Sequence, residues 1–132
     1  MEQISRDQGY DVLDKQFRFQ DLEIWRKGAA ISGTLFDLAD ALDQKRLYRF
    51  AEQLRAATLS ITNNIAEGSG SMSDADFANF LNIARRSVFE VANILFILSQ
   101  ENRLEKLKVQ PLLGTLEEES RMILAFMRKL KS

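Results

Sequence analysis

Two glutamates, Glu67 and Glu90, are the residues of this chain best suited to chemistry, because paired carboxylates can serve as general acid and general base. Each ends a polar series with helical spacing. In the stretch SITNNIAEGSG, residues 60–70, Ser60, Asn63, Asn64 and Glu67 recur at i, i+3, i+4 and i+7. At 100° per residue, and with Ile61 at zero, Asn64 lies at about −60°, Ser60 at about −100°, Glu67 at about −120° and Asn63 at about −160°. Ser60 and Asn64 therefore flank an apolar seam, while Asn63 faces water. The third helix offers a matching flank: with Ala84 at zero, Ser87 lies at about −60° and Glu90 at about −120°.

No nucleophile, metal-ligand set or phosphate loop accompanies the carboxylates. The chain has no His and no Cys, which excludes thiol nucleophiles, Cys or His metal sites and His acid–base catalysis. A di-metal carboxylate bundle needs Glu-x-x-His motifs. The Gly68-Ser69-Gly70 segment lacks the Lys and the spacing of a phosphate loop and reads as a helix stop. The economical reading is one interhelical structural network of Ser60, Asn64, Glu67, Ser87 and Glu90, joined by Arg55 or Arg49, since an orphaned buried polar group costs about 1–3 kcal/mol. No catalytic residue, metal or cofactor is expected.

Helices must carry these residues. One Pro and six Gly in 132 residues, with long apolar periodicities, read as all-α. Helix one is predicted from about Gln20 to Leu42, with Ile24, Gly28, Ile31, Leu35, Leu38 and Leu42 as its buried stripe. Helix two is predicted from about Arg46 to Gly68, burying Leu47, Phe50, Leu54, Ile61 and Ile65. Ser73 should cap helix three, with Asp76 three residues on and Asp74 and Asp76 against the dipole. Its stripe is Phe77, Leu81, Ala84, Val88, Val91, Leu95 and Leu98, ending near Glu101. Helix four is predicted from about Val109 to Lys131 with Pro111 in its first turn, and with Leu113, Leu116, Ser120, Ile123, Met127 and Leu130 facing inward. Short connections make this an up-down-up-down antiparallel four-helix bundle over residues 17–132, preceded by a flexible N-terminal arm, residues 1–16.

A chain 45% hydrophobic and 28% charged fits one globular domain with a real core. Net charge of −1 argues against a wholly basic surface but leaves room for local patches. Without Cys there is no disulfide framework. The uncharged run from Ala56 to Ala66 is too short and too polar for a membrane helix, and the N-terminus lacks a signal-peptide pattern, so a cytoplasmic protein is expected.

Two surface features bear on partners. Phe89 and Phe96 lie at about 140° and 120° from the helix-three core direction, on one line, which suits a subunit interface. Arg46, Arg49, Arg55, Arg85 and Arg86, with Arg128, Lys129 and Lys131 at the C-terminus, are the candidate nucleic-acid contacts. The competing reading is a solvated face with ion pairs such as Arg49 with Glu52. A ring of subunits would multiply any patch.

The stretches DLEIWRKG at 21–28, QLRAATLSITNNIAEGSG at 53–70 and FANFLNIARRSVFEV at 77–91 carry a family resemblance. With the order of the four helices, they resemble the 23S ribosomal-RNA intervening-sequence proteins. These are small bacterial four-helix bundles related to the accessory variability determinants of diversity-generating retroelements. The matching motif residues are Ser60, Ile61, Asn64, Ile65, Ala66, Glu67, Gly68, Ile83, Ala84, Ser87 and Glu90. The resemblance implies a homopentamer, an association with rRNA intervening sequences by gene location, a capacity to bind RNA or DNA, and no enzymatic activity. For the retroelement relatives it implies binding of a reverse transcriptase and RNA. The chain departs from the pattern at Ser71, where a basic residue is common, at Arg86, where Gly is common, and in lacking a Pro in the first connection. Three function classes result: an oligomeric nucleic-acid accessory protein, a scaffold binding a protein partner such as a polymerase, and an enzyme resting only on Glu67 and Glu90.

Overall fold

The computed structural model describes residues 13–131. A 3-10 turn, Arg18–Asp21, precedes four helices: α1 Glu23–Gln44, α2 Tyr48–Ser69, α3 Asp74–Gln100 and α4 Lys106–Lys131. Among the described residues there is no strand. Most of the expected N-terminal arm lies outside the described residues.

Each helix packs on its neighbour in sequence, and α1 closes the bundle against α4. A 22-residue helix is about 33 Å long. The three residues 45–47 span about 10 Å at most, so α2 can lie along α1 only by reversing direction. The same holds at 70–73 and 101–105, and consecutive helices are antiparallel.

The stripes expected for α1 and α3 are buried at every position. Leu35, Leu42, Leu81 and Leu95 are fully buried, and each contributes about 2 kcal/mol relative to exposure. Ser73 caps α3, accepting the Asp76 amide at 3.1 Å. Gly68 permits the close approach of α2 to α3. A Cβ there would stand 2.8 Å from Phe77 Cδ1 and 2.8 Å from Phe80 Cβ. The 3-10 turn docks over the same junction, with the Arg18 guanidinium 5.2 Å from the Phe77 ring centre and the Phe77 ring 5.4 Å from that of Phe126.

Three expectations are corrected. Phe50 is 45% exposed; Ala51 takes its place in the α2 core, because α2 turns toward α1 and α3 about Leu54 and Ile61. Helix four starts three residues earlier, at Lys106, so Pro111 lies inside it rather than in its first turn. The proline has no amide to donate to the carbonyl of Leu107, four residues back, and Leu107 is well exposed. Helix two starts at Tyr48, because Arg46 takes φ 62° and cannot be its first residue. Both connections at this end turn on a left-handed residue, Arg46 and Asn102 (φ 60°). Leu47 N donates to Leu42 O at 2.9 Å and Arg103 N to Leu98 O at 2.7 Å, the closing bonds of Schellman ends. Arginine there costs about 1–2 kcal/mol that glycine would not.

Candidate subunit and nucleic-acid interfaces

The polar stripe of α2 meets α3 through hydroxyls. Ser60 Oγ and Ser87 Oγ are 2.7 Å apart, and Ser87 Oγ also donates to Ile83 O at 3.0 Å. Asn64 Nδ2 donates to Ser60 O at 2.7 Å and to Ser60 Oγ at 3.0 Å, reaching α3 only through that serine. The structure thus brings together Ser60, Asn64 and Ser87. It does not bring Glu67 and Glu90 to them: both are exposed and neither makes a side-chain hydrogen bond or ion pair among the described residues. At about −120° from the seam, their carboxylates pass the edge of the α2/α3 contact and stay hydrated. Asn63 faces water.

Arg55 does not join this cluster either. Its guanidinium is held by Asp43 at 2.6 Å, Asp40 at 2.7 Å and Glu52 at 2.7 Å, bridging α1 to α2. Hydrogen bonds to Asp43 first, and then to Asp40, raise its already high pKa. Glu52 is therefore the partner of Arg55 rather than of Arg49. Arg85 is also engaged: its Nε donates to Ser120 O at 3.3 Å and its guanidinium lies 5.1 Å from the Phe89 ring centre. The candidate cations are dispersed. Arg46 and Arg49 sit at the end formed by 45–47 and 101–105. Arg85 and Arg86 lie midway along α3, and Arg128, Lys129 and Lys131 are at the opposite end.

Phe89 and Phe96 are 56% and 58% exposed. They edge an apolar groove of about 400 Å³ between α3 and α4, floored by Val88, Ala92, Leu113 and Leu116. A second cleft, on the α2 side of α3, is bordered by Phe50 and Ile97, 45% and 50% exposed.

One ionisable residue escaped the sequence reasoning. Glu119 is 0% exposed, and neither of its carboxyl oxygens has a hydrogen-bond partner among the described residues. Gly28 on α1 makes room for it, since a Cβ there would lie 3.1 Å from Glu119 Oε2 and 3.1 Å from Thr62 Cγ2. Burial pushes its pKa up to about 8, against an opposing pull from Lys27 and with a smaller push from Glu118. Lys27 itself pairs with Glu118 at 3.2 Å. A signal was present: Glu119 falls three residues after Leu116 and four before Ile123, within the apolar stripe, but is masked by the run Glu117-Glu118-Glu119. Shielded from solvent, the Glu119 carboxyl is placed to act on the stability of the fold.

No curated protein matches the chain. The profile of the 23S rRNA-intervening sequence protein family matches residues 20–125, from the 3-10 turn through most of α4, and takes in the Ser60–Ser87 contact, the Gly68 junction and the α3/α4 groove. The chain belongs to the 23S rRNA-intervening sequence protein family.

Proposed function

We propose that this chain is a non-enzymatic accessory protein of the cytoplasm that assembles as a closed homopentamer and associates with RNA or DNA. The observation that carries the assembly is the exposed Phe89–Phe96 line beside the α3/α4 groove. A ring with an odd number of subunits needs two different, complementary patches on each copy. The groove is one, and the Phe50–Ile97 cleft is the other. Family membership supports the association with nucleic acid. No helix among the described residues is long and apolar enough to cross a membrane.

Light scattering coupled to size exclusion tests the assembly. The parent should elute as a single oligomer, and Phe89→Asp with Phe96→Asp should shift it to smaller species. A monodisperse parent monomer of 15.1 kDa would overturn the ring and assign the groove to a different protein, the scaffold reading.

A further inference from the structure

One end of the bundle collects cations that the neighbouring acids do not answer. The connections 45–47 and 101–105 touch there, with Lys45 Nζ donating to Arg103 O at 2.9 Å. Arg46 and Arg49 from the first side, and Arg103 and Lys106 from the second, are exposed and make no side-chain ion pair or hydrogen bond among the described residues. The acids nearby are engaged elsewhere. Asp40, Asp43 and Glu52 hold Arg55, and Glu105 lies 3.9 Å from Lys108, while Glu101 makes no ion pair among the described residues. Both α2 and α4 begin at this end while α1 and α3 finish there, so the helix dipoles offset one another and the positive field comes from the side chains. No side chain caps α2. The opposite end mixes signs, with Asp74 and Asp76 at the start of α3 and Arg128, Lys129 and Lys131 in the last turn of α4.

Two details favour an unpaired nucleic-acid strand over a simple anion. Tyr48, 58% exposed, falls between Arg46 and Arg49 in the sequence, offering a ring for a base to stack on near cations for its phosphates. The strained left-handed position is held by Arg46, a cation, where glycine would be more stable.

We propose that Lys45, Arg46, Tyr48, Arg49, Arg103 and Lys106 form an RNA-binding end of the bundle, which grips the phosphates of a hairpin and stacks an unpaired loop base on Tyr48. The proposal rests on the nucleic-acid reading above and names the surface that would serve it. Arg85 and Arg86 are not part of this surface.

The test is titration of a fluorescein-labelled RNA hairpin, and of a blunt duplex of the same stem, into the full chain over a salt series. Arg46→Glu, Arg49→Glu and Lys106→Glu together should weaken hairpin binding at least about tenfold and reduce the salt slope by about three. Tyr48→Ala should cost about fivefold or more on the hairpin and little on the duplex. Arg86→Glu, midway along α3, should retain binding. Circular dichroism and light scattering verify that each variant keeps its fold and assembly, and Arg49→Gln with Lys106→Gln gives a milder form expected to reduce the slope by about two. Unchanged affinity and slope in both end variants, with a parent that binds, would overturn this surface while leaving the nucleic-acid reading intact. A parent that binds neither RNA at low salt would overturn both.

Discussion

Stability should fall as pH rises from 5 to 8, and Glu119 should be the cause. The carboxyl is fully buried with both oxygens unpartnered, and its pKa is pushed from 4.5 to about 8. Below pH 4.5 folded and unfolded chains are both protonated at this site, and its contribution is complete. Between 4.5 and 8 the unfolded carboxyl ionises while the folded one keeps its proton, so folding takes up a proton and stability declines with pH. At about 1.4 kcal/mol per pH unit the loss reaches about 3–3.5 kcal/mol by pH 7 and about 4–5 kcal/mol by pH 8. The chain has no His to titrate in the same window. The charged groups acting on the carboxyl are Lys27 from α1, which opposes the shift, and Glu118 from its own helix, which adds to it. Urea denaturation of the parent, Glu119→Gln and Glu119→Met at intervals from pH 5 to 8.5 measures the effect. Both variants should show a much flatter profile, and the methionine form should exceed the parent by about 3 kcal/mol or more at pH 8, because it buries neither charge nor orphaned oxygen. A parent whose stability is level or rises over this range, or a glutamine variant with the parent's slope, would refute the reasoning.

Asn64→Ala should cost about 1 kcal/mol, since it removes two donor contacts to Ser60 but strands no group on α3. Asn63→Ala should stay within about 0.5 kcal/mol of the parent in the same urea melts. The glycines of α2 and α4 should respond with opposite signs. Gly68→Ala forces a Cβ into Phe77 and Phe80 and should lose about 1–3 kcal/mol, whereas Gly114→Ala meets nothing within 4 Å and should gain about 0.5–1 kcal/mol, read as thermal midpoints.

Periodicity alone was sufficient for α1 and α3, because each buries one continuous stripe and the bundle core accepts it whole. It was sufficient too for the Ser73 cap, a local interaction within four residues. It failed where a neighbour decides. Phe50 and Ala51 are adjacent in sequence, and only the direction from which α1 and α3 approach selects Ala51 for the core. Helical angles place five polar residues on one flank, yet hydrogen bonds require contact within about 3 Å, which Ser60, Asn64 and Ser87 reach and Glu67 and Glu90 do not. The basic residues could be counted in one dimension but not grouped. It takes the antiparallel return of α3 and α4 to set Arg103 and Lys106 beside Lys45, Arg46 and Arg49, some 50 to 60 residues away in the chain. Residue type and spacing determined that this chain is a helical bundle without thiol or imidazole chemistry. The tertiary structure decided which polar groups are buried, because burial belongs to the packed assembly of helices: it shielded Glu119 from solvent opposite Gly28, with no hydrogen-bond partner among the described residues, and it left Phe89 and Phe96 outside.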